Sequence, residues 1–207
     1  MDHAPASDGE GASAPDEVAD RVLTVPNALS VLRLVLVPVF LWLLLGVHAY
    51  GWAVAILMFS GFSDWADGKI ARLVPNQSSR LGALLDPLVD RIYMVMVPVA
   101  LAVAGVVPWW LVFILLGRDV LLAATLPVLR SRGLTALPVT YLGKAATFAL
   151  MSGFPWVLLG QWEATWSRVA LACGWAFLLW GVALYLWSAV LYLIQVAMVV
   201  RRLPVRS

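Results

Sequence analysis

The sequence predicts an all-α integral membrane protein with six transmembrane helices and a short interfacial helix before the first. Three observations carry that expectation. Hydrophobic residues make up 62% and charged residues 13% of the 207, against roughly half and about a quarter in an ordinary soluble domain. The mean hydropathy is +0.90, and apolar runs recur in windows of about 20 residues, the length a helix needs to cross roughly 30 Å of hydrocarbon. Outside those windows the Lys and Arg residues fall in the tails or between alternate windows, with Arg168 the exception. A lone cysteine, Cys173, excludes an intrachain disulfide framework. The formal charge of +2 is uninformative as a total and gives no reason to expect a nucleic-acid partner, but its distribution is informative.

Residues 1–22 hold half of the 12 acidic residues, are rich in Ala, Gly and Ser, and lack the apolar core of a signal peptide. They are expected to form a disordered cytosolic tail, followed by one membrane domain over 23–203 and a short tail, 204–207. Residues 24–33 place Pro26 and Asn27 ahead of an apolar run that Arg33 interrupts, which suits a short helix lying in the inner interface before the chain turns into the membrane. Six apolar windows follow at 29–47, 52–73, 88–106, 109–129, 142–160 and 169–200. The last has 32 residues, roughly 48 Å at about 1.5 Å per residue, so it must tilt strongly or project into the cytosol. No repeat with a period of 20 to 50 residues is visible.

With the N-terminus inside, the short connections 48–51, 107–108 and 161–168 lie outside and carry one basic residue, Arg168. Lys69, Arg72, Arg80, Arg91, Arg130, Arg132, Lys144, Arg201, Arg202 and Arg206 then fall inside. The positive-inside rule therefore puts both termini in the cytoplasm. Trp52, Trp109, Trp110, Trp162 and Trp166 gather at the outer ends, where an amphipathic ring suits the interface.

Four carboxylates stand out against this background. A charged carboxyl inside a helical span costs roughly 2.5 to 3.5 kcal/mol even on the lenient insertion scale, yet Asp64, Asp67, Asp86 and Asp90 occur within 27 residues. Spacings of three and four put each pair on one helix face. The short polar connection 75–80 makes the two helices antiparallel neighbours, so all four acids are expected to converge near the cytoplasmic side. Four anions in one low-dielectric pocket repel unless protons or cations neutralise them. Oxygen donors without His or Cys nearby suit Mg²⁺ or Mn²⁺, and two such ions are the economical arrangement for chemistry on a phosphate. Gly68 and Gly82 leave room for a bulky group to approach the backbone, and Arg72 offers a fork to a phosphate.

The stretch reads D-x-x-D-G-x-x-A-R, nine residues, then G-x-x-x-D-x-x-x-D, from Asp64 to Asp90. This resembles the signature of the CDP-alcohol phosphotransferases, with every fixed position filled. The resemblance covers essentially the whole membrane part and implies six helices, an interfacial helix and a homodimer. By position it implies that Asp64, Asp67 and Asp86 are the main metal ligands. Asp90 would be the general base, also touching a metal, while Gly68, Ala71, Arg72 and Gly82, with Asp67, line the CDP-diacylglycerol site. Arg91 stands where many members have Lys, and keeps the charge.

Shorter pieces bear on the acceptor. Residues 25–33 resemble the start of members that use either glycerol 3-phosphate or phosphatidylglycerol. Those at 90–93, 108–110, 130–133, 137–139 and 142–148 are closer to the actinobacterial branch that makes cardiolipin. The connection between Gly133 and Gly143 is uncharged and largely apolar, which suits a lipid acceptor, phosphatidylglycerol, better than glycerol 3-phosphate. Arg130, Arg132, Lys144 and Arg201 are candidate acceptor-binding groups, or anchors to anionic membrane lipids. Arg118 and Asp119, mid-window in the fourth helix, are either a mutual pair that fixes packing or support for the site. The enzyme is expected in the plasma membrane with its site facing the cytoplasmic leaflet. A cation transporter is the rival class, since acids on facing helices also describe an ion path; it leaves Gly68, Ala71, Arg72 and Gly82 unexplained.

Overall fold

Apolar windows of this length have no choice but to close their backbone hydrogen bonds internally, and the described chain is helical throughout. The computed structural model describes residues 25–73, 80–132 and 141–202, with side chains for 28–63, 88–132 and 141–201. The helices are α1 (Val25–Leu41), α2 (Tyr50–Leu73), α3 (Arg80–Val103), α4 (Trp109–Arg130), α5 (Tyr141–Leu159) and α6 (Thr165–Arg202), and there is no strand among the described residues. Among the described residues four apolar helical stretches are long enough to cross a membrane: Ala28–Gly46, Trp109–Arg130, Tyr141–Leu159 and Thr165–Arg201. A shorter one covers Tyr50–Ser63. The two tails and the connections 74–79 and 133–140 lie outside the described residues.

The first helix differs from expectation. From Val25 onward the stretch expected to lie separately in the interface forms the opening turns of α1, without a break before Leu41. The reason is in its burial pattern. Ser30, Arg33, Val37, Phe40 and Leu44 are buried at spacings of three and four, while Val31, Leu32, Leu34 and Val35 face outward. Arg33 thus points into the bundle with the apolar stripe and is not drawn to the interface. Pro38 removes one backbone donor from α1. The helix then ends in a π-helical turn, Trp42–Gly46, closed by Val47 N to the Trp42 carbonyl at 3.0 Å.

The core is apolar, with Ser60, Ser63, Ser167 and Ser188 buried on α2 and α6, and every helix also leaves large apolar side chains outside. Trp52 is 71%, Phe113 68% and Trp180 64% exposed; these faces match lipid in place of water. Short connections make successive helices antiparallel. The α5–α6 hairpin is the tightest pairing, and glycines set its register. Gly153 meets Leu178, Gly160 meets Leu171, Val157 meets Gly174 and Leu150 meets Gly181. Glycines seven residues apart on each helix therefore recur on one seam, so the two backbones approach as small residues allow in membranes. α6 runs for 38 residues, roughly 57 Å at about 1.5 Å per residue, which bears out the expectation that it exceeds a bilayer's hydrocarbon thickness.

Aromatic residues mark the end where the even-numbered helices begin. Trp162 packs 6.4 Å from Tyr50 and 6.1 Å from Trp166 between ring centroids, joining the starts of α2 and α6. The charged groups described next lie towards the opposite end.

Candidate active site

Helices α1, α2, α3 and α5 enclose a cavity of about 600 Å³. Its charged lining residues, Arg33, Asp90 and Lys144, come from the N-terminal halves of α1, α3 and α5, which lie towards one end of the bundle. The hydroxyls of Ser60 and Tyr93 stand beside them. The remainder of the wall is dominated by Leu57, Met58, Met94, Val97, Phe148, Met151, Phe154 and Trp156, an apolar body continuous with a charged end.

Asp90 is the described member of the four carboxylates. Its side chain is 54% exposed and accepts a 2.9 Å hydrogen bond at Oδ1 from Nη1 of Arg33, whose own side chain is only 4% exposed. The Tyr93 hydroxyl donates to the Arg33 carbonyl at 3.2 Å. With that proton committed, Ser60 Oγ is the donor in its 2.7 Å bond to Tyr93. One polar chain thus links α2, α3 and α1 at the edge of the cavity. Arg33, Tyr93 and Ser60 are the residues sequence reasoning did not assign to the site. The available signal was an arginine inside an apolar run, a placement that demands a partner.

The other predicted residues are placed by their helices. Asp64, Asp67, Gly68, Ala71 and Arg72 belong to the closing turns of α2, and Gly82 and Asp86 to the opening turns of α3; their side chains lie outside the described residues. No group of three or more His, Cys, Asp or Glu stands together among the described residues. Among the described residues Asp90 offers a carboxylate that opens onto the cavity, and carboxylate oxygens are the donors Mg²⁺ and Mn²⁺ prefer. Of the candidate acceptor groups, Lys144 lines the cavity. Arg132 Nη1 instead donates to the Val200 carbonyl at 2.8 Å, tying the end of α4 to the end of α6. Arg130 and Arg201 are exposed at the ends of those helices.

Arg118 and Asp119 form a mutual pair at 3.0 Å and do not line the cavity. Arg118 Nη2 also donates to Ser188 at 3.1 Å, Tyr185 donates to Asp119 at 2.6 Å, and the guanidinium lies 4.1 Å from the Tyr185 ring centroid. The cluster clamps α4 to α6. Removing one partner strands the other in an apolar medium, whereas removing both does not. Asp119→Leu should therefore lower thermal stability in detergent by on the order of 1 to 2 kcal/mol, more than the Arg118→Leu/Asp119→Leu double variant. Strictly additive losses would show that the two side chains act independently.

A helical bundle exposing apolar side chains outward and enclosing a cavity with a carboxylate and two cations at one end has the make-up of a membrane enzyme acting on amphiphilic phosphates. Residues 23–187 match the CDP-alcohol phosphatidyltransferase family, and the chain belongs to that family. It is a phosphatidyltransferase of phospholipid synthesis, and the transporter alternative falls. The chain is 67% identical over 185 residues to a putative cardiolipin synthase of Mycobacterium tuberculosis H37Rv, covering 89% of this chain and 88% of that one. It is 46% identical over 187 residues to the CMP-forming cardiolipin synthase of Streptomyces coelicolor, covering 88% and 86%. The human CMP-forming cardiolipin synthase is 36% identical over 124 residues, 60% of this chain and 41% of that one. Members of the family generally use divalent metal ions.

Proposed function

We propose that the protein makes cardiolipin and CMP from CDP-diacylglycerol and phosphatidylglycerol. A cavity with a charged end at Arg33, Asp90 and Lys144 and a long apolar wall of Met, Phe and Trp side chains suits a phosphate that carries acyl chains, as the donor does with either acceptor. The observation that carries the choice of a second lipid is the connection between Gly133 and Gly143, uncharged and largely apolar and running in sequence up to Lys144. The names of the mycobacterial and Streptomyces relatives support the same acceptor.

The free glycerol hydroxyl of phosphatidylglycerol attacks the phosphorus that carries the diacylglycerol. The new P–O bond forms as the bond to CMP breaks, and the hydroxyl proton passes to a base. Asp90, open to the cavity, is that base. Lys144, on the facing wall, holds the acceptor's phosphodiester. Asp64, Asp67 and Asp86, with Asp90, would hold two Mg²⁺ or Mn²⁺ ions, which would supply neutralisation of phosphate charge. Gly68, Ala71, Arg72 and Gly82, with Asp67, receive the cytidine diphosphate part. The enzyme acts as a homodimer with six spans in the plasma membrane, both termini in the cytoplasm and the site in the cytoplasmic leaflet. The aromatic end at Trp162 and the basic end at Lys144, Arg132 and Arg201 support that orientation.

Purified protein given CDP-diacylglycerol and each acceptor separately should release CMP and form cardiolipin with phosphatidylglycerol, and Lys144→Ala should raise the KM for phosphatidylglycerol. Product with glycerol 3-phosphate alone, and none with phosphatidylglycerol, would reassign the acceptor.

A further inference from the structure

Arg33 is expensive where it stands. An arginine inside an apolar helix is tolerated when it is paired, and this one sits on the same buried stripe of α1 as Val37, Phe40 and Leu44. The pair it makes with Asp90 is lopsided. Both residues line the cavity, but the Arg33 side chain is 4% exposed and that of Asp90 54%, so the cation is covered by the bundle while the carboxylate beside it is open. A pair serving only to join two helices has no need to leave one partner open, and buried ion pairs are in any case weak sources of stability. The arrangement aims the carboxylate. Its support continues through the Tyr93 hydroxyl on the Arg33 carbonyl at 3.2 Å and Ser60 on Tyr93 at 2.7 Å, which set the height of α1 against α3 and α2.

We propose that Arg33 is a positioning residue for phosphatidyl transfer: held by Tyr93 and Ser60, it acts through Asp90, fixing that carboxylate towards the acceptor hydroxyl. This rests on the reading of Asp90 as the base. A planar guanidinium restrains a carboxylate's orientation in a way a point charge does not. Misplacement of a reacting group by about 1 Å can cost about 10²-fold in rate.

The test is steady-state kinetics of the full-length protein in mixed micelles of CDP-diacylglycerol and phosphatidylglycerol. Arg33→Gln should lose about 10²-fold in kcat, with the KM for both lipids little changed, and Arg33→Lys should recover part of the loss. Tyr93→Phe, which leaves both charges in place, should lose about tenfold in kcat, the scale of one hydrogen bond, and it carries the test if Arg33→Gln does not accumulate as folded protein. Wild-type kcat in Arg33→Gln or Tyr93→Phe, or a loss confined to KM, overturns the proposal. Asp90→Asn, measured alongside, separates the two ideas. Full turnover there removes the base itself, whereas loss there beside unchanged turnover in Arg33→Gln removes only the role of Arg33.

Discussion

Gly174→Val should leave little or no folded protein in detergent extracts. A Cβ on Gly174 would lie 2.6 Å from the backbone nitrogen of Val157 and 3.0 Å from the carbonyl carbon of Trp156. Backbone cannot rotate aside as a side-chain tip can, so α5 and α6 must part. Overpacking of a close-packed seam typically costs about 1 to 3 kcal/mol and sometimes more, and the branched Val side chain adds to the clash. Gly174→Ala should therefore already lower the thermal midpoint. Gly160→Ala should follow, with Leu171 Cβ at 2.6 Å and Cα at 2.9 Å. Gly153→Ala and Gly181→Ala should be milder, because the backbone nitrogens they meet stand at 3.2 and 3.1 Å. Gly117, with nothing within 4 Å of its Cβ position, is the control, and its change to Ala should be neutral or stabilising by up to about 1 kcal/mol through helix propensity. Equal midpoints for Gly174→Ala and Gly117→Ala, by fluorescence-monitored size-exclusion after heating, would show that the seam tolerates separation.

Turnover should disappear in Asp64→Asn and in Asp86→Asn while each protein still elutes as the wild type does. In the proposed metal site, losing one carboxylate would remove a ligand and a unit of charge together, and phosphate chemistry assisted by divalent ions depends on both. Chelation should abolish CMP release from the unmodified protein, and Mg²⁺ or Mn²⁺ should restore it. Asp90→Asn should behave differently. Loss of a general base costs about 10² to 10⁴ in rate, while affinity for CDP-diacylglycerol should largely survive. Full activity in Asp64→Asn or Asp86→Asn would dismantle the proposed metal site, and equal loss of binding and turnover in Asp90→Asn would recast that residue as a metal ligand.

Much of this was legible in the chain because it depends on local order. Apolar windows report helices directly when water is absent, and the starts and ends of α4, α5 and α6 fall within a few residues of those windows. The carboxylate signature and the family it points to are matters of spacing along one polypeptide. The glycine seam between α5 and α6 was legible in principle, as small residues seven apart on successive helices, but glycines are common in membrane helices and only a facing partner distinguishes a seam from a coincidence.

The partner of Arg33 was not legible. In an apolar run an arginine either extends to the interface or finds an anion, and its partner Asp90 stands 57 residues away on another helix. Arg118 and Asp119 were adjacent in sequence, yet their role as a clamp depends on Tyr185 and Ser188 arriving from α6. The sequence by itself determined that this is an all-helical membrane protein of a phosphatidyl-transferring family, because hydropathy and motif spacing are properties of a linear chain. The tertiary structure alone decided which cation stands beside Asp90, which candidate basic group reaches the cavity and which is spent on a helix end. Those outcomes depend on how four helices pack around one space, and such contacts are set by the whole bundle and not by any segment within it.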